Sequence, residues 1–304
     1  MSEQQLFDQL KKLDTEQRNP ATLEIDVASA EEIARLINEE DKKVADYVAL
    51  RNAEIAKAID LVSQAFSVGG RLLYFGAGTS GRLGVLDAAE CPPTFGSNPE
   101  QVQGFIAGGE AAMFVAQEGA EDSEELGREE ITKQKITSLD VVCGIAASGR
   151  TPYVVGLLKE AKEQGIPSLL VTTVSAEQLP FKADITIDVP VGPEVIMGST
   201  RMKSGTAQKM VLNMISTGAM IRQGKVYENV MVDLMLTNKK LVERAKRIIL
   251  TFADVDYQQA GELLEAADGH VKTALVMGLK DIPKNEAQQL LRKHGGFIRK
   301  ALEH

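Results

Sequence analysis

The sequence predicts an α/β protein, with a parallel sheet flanked by helices and a small helical region after it. Five short apolar runs (72–75, 102–107, 141–145, 168–173 and 185–189) are closed by glycine or hydroxyl residues and alternate with helical patterns. Short apolar runs that alternate with helices suit parallel strands covered on both faces. The length, 304 residues with 44% hydrophobic content, suffices for one large core and a small additional domain.

Residues 1 to about 28 are polar, with a turn at Asn19-Pro20, and read as an extended arm. Ser29-Ala-Glu-Glu32 reads as a capping box, and Ile33, Leu36, Ile37, Val44, Tyr47 and Val48 follow at helical spacing. A second helix carries Ile55, Ile59, Val62 and Phe66 and runs to Gly69-Gly70. The strands and their helices come next. A long helix is expected from about Ser204 to Met220, and a further helical run from Asn229 to Leu250. From Asp254 there are three short amphipathic patterns, broken at Gly269 and at Ile282-Pro283. The expected domains are 1–61 (arm and helices), 62–225 (the sheet domain) and 226–304 (the C-terminal helical region).

Composition excludes several functions. The net charge is −9, so the chain lacks the positive field that nucleic acid or an anionic membrane requires. Tryptophan is absent and aromatics are 5%, which leaves no base-stacking platform. No stretch approaches the roughly 18 apolar residues of a membrane span, and the start lacks a signal peptide pattern, so a cytoplasmic location is expected. Cys91 and Cys143 have no metal-type spacing and lie away from the three histidines, so neither a zinc site nor a Cys/His nucleophilic pair is expected.

Ligands of parallel sheets bind beyond the carboxyl ends of the strands. Three loops there share one chemistry. Gly76-Ala-Gly-Thr-Ser-Gly-Arg82 and Ala146-Ala-Ser-Gly-Arg-Thr-Pro152 both contain Ser-Gly-Arg, and Gly198-Ser-Thr-Arg-Met-Lys203 again joins hydroxyls to a basic residue. Small residues let the backbone approach a ligand, and helix-start N–H groups with hydroxyls suit a phosphate. Gly76 to Gly81 also matches G-x-G-x-x-G. A dinucleotide site wants an acid at the end of the next strand, and Ile106-Ala-Gly-Gly109 offers none.

The first loop leads into Asp87-Ala-Ala-Glu90 and then Cys91-Pro92-Pro93, where prolines are expected to stop the helix. Glu90 then ends a helix in a run of small apolar residues, an enclosure that would raise a carboxyl's pKa as a general acid requires. After the second strand come three acids, Glu110, Glu118 and Glu121, which spacing alone does not rank.

These segments, together with Glu118-Gly-Ala-Glu-Asp-Ser123, Val191-Gly-Pro-Glu-Val, Arg201-Met-Lys-Ser-Gly-Thr-Ala-Gln-Lys209 and His294-Gly-Gly-Phe-Ile-Arg, resemble the bacterial N-acetylmuramic acid 6-phosphate etherases from about residue 22 onward. The resemblance implies a flavodoxin-like sugar isomerase (SIS) domain with a small C-terminal helical domain, and a homodimer. It implies a lyase of peptidoglycan recycling that needs no cofactor or metal and yields N-acetylglucosamine 6-phosphate and D-lactate. The family's catalytic glutamates fall on Glu90 and Glu121. Thr79, Ser80, Ser148, Thr151 and Ser199 are the expected phosphate and substrate contacts, and Arg201, Lys203 and Lys209 the candidates to offset the lactyl carboxylate. Arg82 and Arg150 are expected to brace loops. The rivals, a non-catalytic sugar-phosphate sensor and an aldose–ketose isomerase, would share the loops; a sensor would not need both glutamates.

Overall fold

The computed structural model describes residues 14–115, 117, 119–236 and 239–303. The start of the N-terminal arm and Glu118 lie outside the described residues. The chain forms two compact units: Met1–Ala89 with Glu100–Ser216, and Glu90–Pro99 with Thr217–His304.

The first unit holds a five-stranded parallel sheet of β1 (Leu72–Gly76), β2 (Val102–Ile106), β3 (Val141–Ile145), β4 (Ser168–Thr172) and β5 (Ile185–Asp188), in the order β2-β1-β3-β4-β5. Every residue of β1, β3 and β4 is buried, as the unbroken apolar runs imply. Side chains alternate between the faces. Leu73 and Phe75 join a core with Val142, Val154, Leu157 and Leu158, built around α5 (Pro152–Glu163) and α4 (Glu124–Lys133). Tyr74 faces the other way, toward α3 (Gly78–Phe95), where a Cβ on Gly84 would stand 2.9 Å from the Tyr74 Cβ. The order reverses between β1 and β3, so the two Ser-Gly-Arg loops leave the sheet side by side at its switch point.

The preceding helices are α1 (Ala30–Ala49) and α2 (Asn52–Ser67). Ser29 Oγ accepts from Glu32 N as a capping box requires, but the Glu32 carboxylate turns to Arg35 instead of returning to the cap. The described part of the arm is not extended. It forms three 3-10 turns, Asp14–Glu16, Pro20–Thr22 and Ile25–Val27, and Asn19 Oδ1 accepts from Ala21 N to start the second. The expected long helix is α6 (Lys203–Arg222).

In the second unit a hairpin, β6 (Val226–Tyr227) with β7 (Val230–Met231), replaces the start of the helix expected from Asn229. Glu228 takes a positive φ of 51° in the turn between Val226-Tyr227 and Val230-Met231, which stops a helix there, and α7 runs from Lys239 to Phe252. The C-terminal region has four helices rather than three: α8 (Tyr257–Ala266), α9 (Val271–Lys280), α10 (Lys284–Lys293) and α11 (Ile298–Leu302). The breaks at Gly269 and Ile282-Pro283 fall where the sequence places them. Val232, Ile249, Leu264, Leu275, Leu291 and Ile298 share one core. No helix among the described residues is long and apolar enough to cross a membrane.

Candidate functional site

The loop after β1 turns at once into α3, and its glycines serve for space rather than flexibility. A Cβ on Gly81 would lie 2.6 Å from Gly76 O and 2.7 Å from Ile106 Cγ1, so only glycine lets the helix start this close to the sheet. Gly76 O is itself held by Ala107 N at 2.9 Å. The first intrahelical bond runs from Gly81 N to Ala77 O, so the amides of Gly78, Thr79 and Ser80 come before the helix ladder and lie at its positive end.

Gly78, Thr79 and Ser80 line a cavity of about 400 Å³ together with Ser148, Arg150 and Thr151 from the β3 loop, Gly198 and Thr200 from the third loop, Glu121, and Thr15 and Glu16 from the arm. Ser148 Oγ accepts from Arg150 N at 3.3 Å, which leaves its own proton to donate. Ser80 is buried and its hydroxyl donates to Gln208 Oε1 at 3.0 Å. Glu121 is exposed and also borders an adjoining cavity of about 190 Å³ lined by Arg82, Gln117 and Gly119. Its carbonyl accepts from Tyr153 N at 3.0 Å, which fixes the Glu121 backbone to the first turn of α5.

Thr79, Ser80, Ser148, Thr151 and Glu121 therefore meet in one cavity, while the remaining expected residues lie elsewhere. Ser199 sits in a turn between Gly198 and Thr200 and does not line it; Arg201 and Lys209 are exposed and do not line it either. Lys203 is not available to any substrate. It is buried, and its Nζ donates to Glu40 Oε2 at 2.6 Å. The third loop also lacks a free helix start: the fully buried Glu194 accepts from Lys203 N and Ser204 N, both at 2.9 Å, so an internal carboxylate occupies the N-terminus of α6.

Arg82 Nε and Nη2 donate to Met113 O and Ala112 O, and Arg150 Nη2 donates to Gln178 O, so both arginines brace loops. Among the described residues that line the cavity, Glu16, Glu121 and Asp122 are acidic and Arg150 is the one cation. The cavity therefore offers an anion hydroxyls and helix-start amides more than charge.

Glu90 belongs to the segment Glu90–Pro99 of the second unit. It does not end the helix. α3 runs on through Pro92 and Pro93 to Phe95, because proline's fixed φ is helical and the missing N–H groups fall in the last turns. Gly96, at φ 59°, closes it, donating its N–H to Pro92 O. Glu90 is exposed, so the chain does not supply the apolar enclosure expected for it. One turn earlier Asp87 is buried and accepts from Tyr74 OH, Asn213 Nδ2 and Ser216 Oγ. Burial pushes its carboxyl above the usual range, against the pull of those three donors.

The sequence reading missed Thr15, Glu16 and Gln208. Their partners lie between about 60 and 180 residues away in the chain, and no local pattern marks such a pairing.

Two family models match, the glucokinase regulatory protein N-terminal SIS domain over residues 54–162 and the SIS domain over residues 112–217. The N-acetylmuramic acid 6-phosphate etherase of Salinibacter ruber is 57% identical over 299 residues, which is 98% of this chain and 96% of that protein. The protein of the same name from Clostridium beijerinckii is 53% identical, covering 97% of each chain. That from Photorhabdus laumondii is 51% identical, covering 95% of this chain and 96% of its own.

Proposed function

The chain belongs to the N-acetylmuramic acid 6-phosphate etherases, carbon–oxygen lyases, and from that membership we propose the chemistry by which it releases D-lactate. The observation that supports it most is the cavity in which Glu121 lies beside the hydroxyls of Thr79, Ser80, Ser148 and Thr151.

Direct hydrolysis of an ether has no good leaving group. Opening the sugar ring changes that, because the C1 aldehyde acidifies the C2 proton and places the lactyl oxygen on C3 at the β position. Glu121, ionised, removes the C2 proton. The electron pair forms the C2–C3 double bond as the C3–O bond breaks, and Glu90, protonated, gives its proton to the departing lactate oxygen. Water then adds at C3 and a proton returns to C2, giving N-acetylglucosamine 6-phosphate. The two carboxyls need opposite starting protonation, so their surroundings during the reaction must hold their pKa values apart. The 6-phosphate lies at the start of α3 among the four hydroxyls, and the chemistry rests on these side chains without a metal or organic cofactor.

In the same reading residues 62–225 form the sugar-phosphate domain, and the chain works in the cytoplasm as a homodimer in the recycling of peptidoglycan. Ser199, Arg201 and Lys209 are kept for the lactyl end of the substrate, since they do not line the phosphate cavity. The decisive measurement is D-lactate release from N-acetylmuramic acid 6-phosphate by the purified chain. Folded protein that turns the substrate over without lactate would favour an isomerase; folded protein that only binds it would favour a sensor.

A further inference from the structure

Helix α6 faces the phosphate loop with two residues one turn apart. A Cβ on Gly205 would lie 3.5 Å from Thr79 Cγ2, and Gln208 Oε1 accepts the Ser80 hydroxyl proton at 3.0 Å. Gln208 is 1% exposed, and its Nε2 has no hydrogen-bond partner among the described residues. A buried donor left unpaired is costly, on the order of 1–3 kcal/mol, so this arrangement has a reason to change when a better one is offered.

A half-turn of the Gln208 amide offers one, because its terminal torsion is soft and the two ends have nearly the same shape. Nε2 then donates to Ser80 Oγ, and the Ser80 proton is released toward the cavity that Ser80 lines. The turn exchanges one of the two orphan N–H donors for an orphan carbonyl oxygen, which a protein tolerates better than an orphan N–H. An anion in the cavity supplies the acceptor that makes the exchange favourable.

We propose that Gln208 is a positioning residue that switches Ser80 from a donor to helix α6 into a donor to the bound phosphate, by turning its amide when the phosphate arrives. The inference rests on the reading of this cavity as the phosphate site. Gln208 touches no reacting atom, and it acts only through the direction of one proton.

The test is inorganic phosphate binding to the full chain by calorimetry, which does not depend on lactate release, so failure of the etherase reading and failure of this inference are read separately. Gln208→Glu can only accept once its carboxyl is ionised and then holds the Ser80 proton, so it should weaken phosphate at least tenfold at the alkaline end of a pH series that ionises it. Gln208→Met, which neither holds nor aims the proton, should weaken it by no more than about threefold. In a Ser80→Ala background Gln208→Glu should lose most of its effect, leaving only the repulsion between two anions. With N-acetylmuramic acid 6-phosphate the loss should fall on KM, with kcat within about twofold. An equal loss from Gln208→Glu with and without the Ser80 hydroxyl would overturn the proposal, as would a Gln208→Met loss as large as that of Gln208→Glu. Where Gln208→Glu does not fold, the Gln208→Met and Ser80→Ala single and double variants decide: losses that simply add show the two residues to be uncoupled and end the proposal.

Discussion

At the scale of the residue, Glu90 and Glu121 are both exposed, so burial within the chain supplies neither with its proposed chemistry. The proposed roles therefore separate by what each would do to the substrate. Glu90→Gln should cut D-lactate release by a factor of about 10² to 10⁴ while C2 still exchanges its proton for deuterium from the solvent. Loss of that exchange in the Glu90 variant would transfer the role of base to Glu90. A different carboxylate governs stability. Burial alone would raise the Glu40 carboxyl, but hydrogen bonds from the Lys203 and Lys43 ammonium groups outweigh it and hold the carboxyl down to about 2 from an ordinary 4.5. A carboxyl depressed by folding stabilises the protein fully above its unfolded value, and the contribution disappears as pH falls through the folded one. Between pH 4.5 and pH 2 the folded state should lose about 3 kcal/mol from this group. Denaturant titrations across that window should show a shallower fall for Glu40→Gln than for the parent chain. Equal slopes would mean that the buried pair with Lys203 does not set the acid limit. From spacing alone, Lys203 looked like a cation for substrate, because a sequence cannot show that Glu40, more than 160 residues earlier, lies beside it.

At the scale of the element, the start of α3 depends on two different glycine requirements. Gly81 is needed for space: its added Cβ meets the Gly76 carbonyl, which the sheet bond from Ala107 keeps from moving. Gly81→Ala should cost about 1–3 kcal/mol and raise KM, because relief is possible only by lifting the helix start off β1. Gly78 instead has a φ of 53° with nothing within 4 Å of an added Cβ, so Gly78→Ala should cost only the left-handed backbone penalty, about 1 kcal/mol. Thermal melting of the two variants measures the contrast; a larger loss from Gly78→Ala would contradict it. The strands were legible almost to the residue, because all five are short, mainly apolar runs bounded by small or polar residues. The hairpin at Val226–Met231 was not legible. Four strand residues and a two-residue turn are too short for periodicity to register, and the rich Val and Met content suits a helix equally well. The run of α3 through Pro92 and Pro93 was misread for a similar reason: the rule that proline breaks helices weakens in a last turn, where the lost bonds are few.

At the scale of the whole molecule, charge opposes the substrate rather than attracting it. The chain carries −9, the described lining of the cavity has three carboxylates to one guanidinium, and the substrate bears a phosphate and a carboxylate. Long-range repulsion of this kind is screened by salt, so kcat/KM should stay level or rise as NaCl goes from about 10 to 150 mM. A steep fall would mean that cations such as Arg201 and Lys209 steer the substrate after all. What the sequence determined by itself was the fold class, the strands and the position of the Ser-Gly-Arg loops, because buried strands and helix starts need local residue types at local spacing. Its long ordered motifs also identified the family, which named Glu90 and Glu121 where spacing could not rank the acids. Only the tertiary structure decided which polar residues are committed elsewhere. It buried Lys203 against Glu40, capped α6 with Glu194, brought Thr15 and Glu16 to the cavity beside the Ser-Gly-Arg loops, and set Gln208 beside Ser80. All but the Glu194 cap, which reaches nine and ten residues along the chain, are pairings of groups far apart in the sequence, and such pairings are set by how the elements pack rather than by the spacing of residues along the sequence.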